Sequence, residues 1–146
     1  MTDNNLTVKV IEKLTELDYQ LINLLGVEIV DVSFGRCVCR LTVRDDLVNS
    51  GNVCQGGIIF TLADFSLAYA SMTGNQSGAT LSANIHFTNP APLGDVLTST
   101  AEVSHDSGGR TVTVKVEVKN QHGLLIAESQ AVWSRAKQSI IKIGDA

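Results

Sequence analysis

Leu6, Val10, Leu14, Leu17, Leu21 and Leu24 recur at three- and four-residue steps, a spacing that predicts one short amphipathic helix. Asp3, Asn4 or Asn5 is available to cap it. The period then changes to two. From Arg36 to Arg44, the side chains of Cys37, Cys39, Leu41 and Val43 face one way, while Arg36, Arg40, Thr42 and Arg44 face the other, as in a half-buried strand. A loop rich in turn residues, Asn49-Ser-Gly-Asn-Val-Cys-Gln55-Gly56-Gly57, leads into a second helix. There Ile58, Leu62, Phe65, Tyr69 and Met72 make an apolar stripe that Ala63, Leu67 and Ala70 widen, and Gly74 is the expected stop. A helix apolar nearly all round must be enclosed by other structure. The remainder reads as strands at about 79–88, 95–104, 110–119 and 124–135, separated by turns at Asn89 to Asp95, Ser107 to Gly109 and Asn120 to Gly123. Strands in a run with short connections favour an antiparallel sheet, so the fold class is α+β, with one sheet curled around one long helix.

Composition narrows the function. With 146 residues, 44% of them hydrophobic, the chain suits a single globular domain spanning 1–146. A net charge of −4 gives no global attraction to nucleic acid or anionic membrane, so an anionic ligand needs a local basic cluster. No apolar run approaches the ~20 residues of a membrane span. Cys37 and Cys39 lie on one face of a strand and do not suit a mutual bridge, and Cys54 precedes the glycine pair. Met-Thr-Asp-Asn-Asn at the start has no basic or apolar leader pattern, so a reduced, cytoplasmic setting is the expectation.

Between Leu47 and Gly94 a single Asp, Glu, Lys or Arg occurs, and it is Asp64, inside the apolar helix. A carboxylate there is costly unless it is hydrogen-bonded, paired or used. Along the helix Gly57, Thr61, Asp64, Ala68 and Ser71 share a smaller, more polar stripe. The helix start at Gly56-Gly57 offers free N–H groups, the positive dipole end, and close backbone approach. N–H donors and a carboxylate are complementary parts of an acyl-transfer site. Within one chain they cannot meet: eight residues at ~1.5 Å each separate Gly56 from Asp64 by about 12 Å. A second subunit packing its helix antiparallel would bring Gly56 of one chain to Asp64 of the other, which predicts a homodimer with two shared sites. The alternative is that Asp64 bonds to Thr61, Ser71 or a nearby loop and only specifies the core.

The segment Asn49-x-x-x-x-x-Gln55-Gly56-Gly57, followed by the helical Asp64, resembles the motif of hotdog-fold acyl-CoA thioesterases of the phenylacetate-degradation type. Asn89-Pro90 and Gly94-Asp95 resemble that family's turn, and the likeness covers roughly residues 25–135. The resemblance implies the hotdog fold, acyl-CoA as substrate, no cofactor beyond coenzyme A itself, and tetramers built as pairs of dimers. By position it implies that Gly56 N–H polarises the thioester carbonyl, that Asp64 is nucleophile or general base, and that Asn49 positions substrate or water. It also implies a helper on the following strand, where Thr80 and Ser82 are expected on one face. The family commonly has His where this chain has Gln55, which can donate a hydrogen bond but does not titrate near neutrality.

Two further groups fit this picture. Gly109 and Arg110, in the Gly108-Gly109-Arg110 turn, could meet coenzyme A phosphates with Arg135 or Lys137; the other reading is a plain hairpin with a solvated arginine. His86 is a candidate base for an enoyl-CoA hydratase or dehydratase, or else a strand histidine. His105 and His122 lie beside turns, and the three histidines show no metal-ligand spacing. A dimer that binds acyl-CoA without turning it over is the remaining alternative.

Overall fold

The computed structural model describes residues 4–142. Two helices, α1 (Asn4–Leu17) and α2 (Tyr19–Leu25), precede strands β1 (Glu28–Ser33) and β2 (Arg36–Thr42). A single 3₁₀ turn at Asp45–Leu47 and a loop lead to the long helix α3 (Gly56–Met72). Strands β3 (Gly78–Phe87), β4 (Val96–Asp106), β5 (Thr111–Lys119) and β6 (Leu125–Arg135) complete one six-stranded sheet in the order β1-β2-β4-β5-β6-β3. Every pairing is antiparallel. This is the expected α+β class with the hotdog arrangement, the sheet wrapping α3 as the casing.

The wrap follows from side-chain parity. On β5, Val112, Val114, Val116 and Val118 are buried while Thr111, Lys115, Glu117 and Lys119 face solvent. On α3, ten of seventeen residues are buried, among them Leu62, Phe65, Leu67 and Tyr69. Side chains such as these contribute roughly 1.5–3 kcal/mol each on burial. One polar link crosses this interior: Ser66 and Ser99, both fully buried, share a hydrogen bond of 2.7 Å between their hydroxyls.

Two expectations need correction. The N-terminal helix is two helices, because the backbone at Asp18 (φ −94°, ψ 10°) departs from helical geometry. Asp18 accepts a 2.7 Å hydrogen bond from the Tyr69 hydroxyl, and beyond it Leu21 and Leu24 are exposed. A strand, β1, precedes the first one read from the sequence. Its alternation is blurred by an irregularity between Ile29 and Asp31 and by its place at the sheet edge. The apolar cluster takes in Val10, Ile11 and Leu14 of α1, with Ile140 and Ile141 packed against it. Asp3, one of the possible caps, lies outside the described residues.

Gly78, where β3 begins, faces Trp133 and the carbonyl of Ser134 so closely that a Cβ would overlap both. Gly78→Ala is therefore expected to destabilise the fold by about 1–3 kcal/mol through overpacking. Urea unfolding should show this as a lower midpoint with an unchanged slope.

Candidate active site

Asp64 projects from the half-exposed stripe of α3. Gly57 on that stripe is open, Thr61 and Ala68 are half-buried, and Ser71 turns inward. The Asp64 carboxylate is itself half-buried, and its Oδ1 accepts a 3.1 Å hydrogen bond from the Thr80 hydroxyl on β3. Neither Thr61 nor Ser71 holds it. Thr61 donates to the carbonyl of Gly57 at 2.9 Å, and Ser71 to that of Leu67 at 2.7 Å.

Thr80 and Ser82 do not share a face. The β3–β6 register skips a residue between them, with Thr80 opposite the buried Trp133 and Ser82 opposite Val132 on the outer side. The extra residue, Leu81, forms a bulge, and a one-residue slip turns every later side chain over. Thr80 therefore meets Asp64 and Ser82 does not. The same slip places His86 on the outer face, largely solvent-exposed and 3.8 Å from Glu128, which removes it as a base for chemistry at Asp64.

At the start of α3, Gln55 caps the helix with its backbone only. Its carbonyl accepts from Ile58 N–H at 2.9 Å and Ile59 N–H at 3.3 Å, and its side chain makes no capping bond. The N–H groups of Gly56 and Gly57 have no partner among the described residues. No acidic side chain lies in the first turn to quench their partial positive charge. Nothing would lie within 4 Å of a Cβ at Gly57, so the backbone there is open to approach. At Gly56 a Cβ would stand 3.3 Å from the Phe87 ring, a neighbour that sequence spacing did not reveal.

Asn49 shapes the loop before this turn. Its Oδ1 accepts from the N–H of Gly51 at 2.9 Å and of Val53 at 3.5 Å, and its Nδ2 has no partner among the described residues. Cys54, also beside the turn, is buried, and burial pushes its thiol up to about 11, so it stays protonated at neutral pH.

At the far end of β3 the Gly108-Gly109-Arg110 turn, Gln76, Arg135 and Lys137 surround a hollow of about 580 Å³. Arg135 is committed: it pairs with Asp106, whose carboxyl its guanidinium holds below the usual range, and donates to the Gly109 carbonyl at 3.0 Å. Among the described residues the Arg110 guanidinium donates only to the Ser134 hydroxyl, at 3.3 Å, so Arg110 and Lys137 supply the available positive charge. Among the described residues no cluster of His, Cys, Asp and Glu is arranged to hold a metal, and no helix is long and apolar enough to cross a membrane.

The family model of the thioesterase superfamily matches residues 51–127, more than half of the chain. The chain belongs to that superfamily, and is a thioester hydrolase by family. It is 34% identical over 103 residues to the acyl-coenzyme A thioesterase PaaI of Escherichia coli strain K12, covering 70% of this chain and 73% of that one. The solved structure of the E. coli PaaI protein from the phenylacetic acid degradation operon superposes with a TM-score of 0.89 at 28% identity, over 93% of this chain and 97% of that one. A second solved structure, smu.793 from Streptococcus mutans UA159 bound to acetyl CoA, superposes with a TM-score of 0.74 at 26% identity, over 77% of this chain and 90% of its own.

The contact between Thr80 and Asp64 generates a contrast between neighbours on one strand. A hydrogen bond to a charged group contributes roughly 1.5–3 kcal/mol. If Asp64 carries the chemistry, Thr80→Val should lower kcat for thioester hydrolysis by about ten-fold or more, Thr80→Ser should restore most of it, and Ser82→Ala should stay within about two-fold of the original rate. Steady-state assay of thiol release checks all three.

Proposed function

We propose that this chain hydrolyses the thioester of small or medium acyl- or aryl-coenzyme A, as a homodimer with two shared sites. The observation that carries the reading is the pair of half-sites. A carboxylate held at one oxygen by Thr80 leaves its other oxygen free, and two open N–H groups lie at the N-terminus of the same helix. About 12 Å separates them along α3, too far for one carbonyl. Antiparallel apposition of two α3 helices closes that gap in duplicate. The exposed edge of β3 supports it: this ten-residue strand ends the sheet and carries no Pro, Lys, Arg, Asp or Glu to block pairing.

In this arrangement the substrate carbonyl accepts from the Gly56 N–H of one protomer while Asp64 of the other faces the carbonyl carbon. As nucleophile, Asp64 adds through its free oxygen, the thiolate leaves, and water hydrolyses the resulting anhydride. As general base, it takes a proton from the water that adds. Single-turnover hydrolysis in ¹⁸O water separates the two, since only the anhydride route can leave label in the carboxylate. Gln55, beside the open N–H groups, supplies an amide donor where related chains commonly have His. Arg110 and Lys137 offer charge to the coenzyme A phosphates.

Removing the carboxylate tests the centre of the reading. Asp64→Asn and Asp64→Ala should each lower kcat by about 10²–10⁴-fold. Rates equal to the original would overturn the assignment, and tight acyl-CoA binding with no thiol release in the original chain would make it a binding protein instead.

The oxyanion donor has its own test. Gln55 already holds ψ 133°, the conformation required before proline, and Pro is tolerated at the first helical position. Gly56→Pro should therefore keep the helix, remove the N–H and cost about 10²–10³ in kcat. Gly56→Ala keeps the N–H and adds the same Cβ against Phe87, so it should retain most of the activity. A fully active monomer by light scattering would refute the shared site.

A further inference from the structure

We infer that Phe87 sets the size of the acyl group this chain accepts, an inference that rests on the thioesterase reading above. Phe87 is the last residue of β3 and its ring stands directly against Gly56, the residue proposed to bind the substrate carbonyl. Together Val53, Cys54, Ile59, Phe87, Pro90 and Gly56 wall a hollow of about 280 Å³ that no charged side chain lines. An engineered cavity of about 150 Å³ is enough to hold benzene. The hollow therefore has room for an aryl ring or a short to medium chain.

Direction decides which half of the substrate enters it. The phosphates of coenzyme A require cations, and the cationic hollow with Arg110 and Lys137 lies near Gly78, at the opposite end of β3 from Phe87. Nine steps of ~3.3 Å put those ends about 30 Å apart in one chain. In the antiparallel dimer, the cationic hollow nearest a given thioester belongs to the protomer that supplies Asp64. The hollow beside Phe87 belongs to the protomer that supplies Gly56. The thiol arm and the acyl group thus leave the carbonyl toward different protomers, and the acyl group meets Phe87.

The walls are fixed in place. Directly after Phe87, Thr88 N–H and Asn89 N–H both donate to the Ile126 carbonyl, at 2.9 and 3.3 Å, and both side chains donate to the Leu125 carbonyl, at 2.7 and 2.8 Å. Opposite, Cys54 N–H donates to the Ala91 carbonyl at 2.7 Å. Phe87 is 47% exposed in the single chain and lies outside the buried apolar cluster, so replacing it does not open the core.

The experiment measures kcat/KM for acetyl-, hexanoyl-, tetradecanoyl- and benzoyl-CoA in the original dimer and in Phe87→Ala, Phe87→Trp and Phe87→Tyr. Phe87→Ala should raise the tetradecanoyl-to-benzoyl ratio about ten-fold or more, mainly through KM. Phe87→Trp should depress hexanoyl relative to acetyl, and Phe87→Tyr should keep the original profile. Circular dichroism verifies folding, and the Trp variant carries the test if the Ala variant does not fold. An unchanged chain-length profile in the folded variants, with the original dimer active, overturns the role of Phe87 alone. No thiol release by the original dimer from any substrate overturns the thioesterase reading and this inference with it.

Discussion

A helix as apolar as α3 cannot stand in water, and the sheet that covers it does not close around it. The sheet runs out at β3, so the stripe of Gly57, Thr61, Asp64 and Ala68 is left partly uncovered. That gap has two chemical consequences. It lets a carboxylate sit on an otherwise buried helix without the full cost of desolvation. It also leaves a row of backbone donors and acceptors along β3. The open stripe and the open edge arise from one incomplete wrap and lie side by side, joined by the Thr80–Asp64 hydrogen bond.

The polar groups sort themselves by the same geometry. Where the wrap is complete, the Ser66–Ser99 pair and Thr73 are satisfied internally, Thr73 donating to the Ala70 carbonyl and accepting from Gly35 N–H, while the buried Ser129 hydroxyl has no partner among the described residues. Where it is incomplete, the Thr80 hydroxyl donates to the Asp64 carboxylate and the Thr61 hydroxyl donates back to the Gly57 carbonyl. The Gly56 and Gly57 N–H groups belong to the second class. Gln55 caps with its carbonyl and not its side chain, so the first turn of α3 keeps donors to offer. Had Ser, Thr or Asp stood at that position, a side-chain oxygen would have been available to occupy one of them.

Much of this was legible in the sequence because period and turn chemistry carry it. The alternation of valines from Val112 to Val118, the glycine turns at Gly94, Gly108 and Gly123, and the uncharged stretch around Asp64 each correspond to a feature of the fold. What escaped has a common cause: single-residue departures from a period. The bulge at Leu81 reversed the parity of half a strand, so Ser82 and His86 left the site. The change of backbone at Asp18 moved Leu21 and Leu24 out of the stripe their spacing predicted. Contacts distant in sequence were equally invisible, such as Phe87 against Gly56 or Arg135 held by Asp106. No local pattern encodes them.

The bulge shows why such departures concentrate at the site. Without the extra residue, Thr80 and Ile85 would lie on opposite faces of β3, because they are five apart. With it, Thr80 reaches Asp64 while Ala83, Ile85 and Phe87 also turn inward, opposite the inner residues Ala131, Ser129 and Ala127 of β6. The first of these inward residues holds the carboxylate, and the last stands over the helix N-terminus. One strand thus lines both proposed half-sites, and the irregularity of Leu81 is what allows it to do so. A regular strand could serve one half-site or the other.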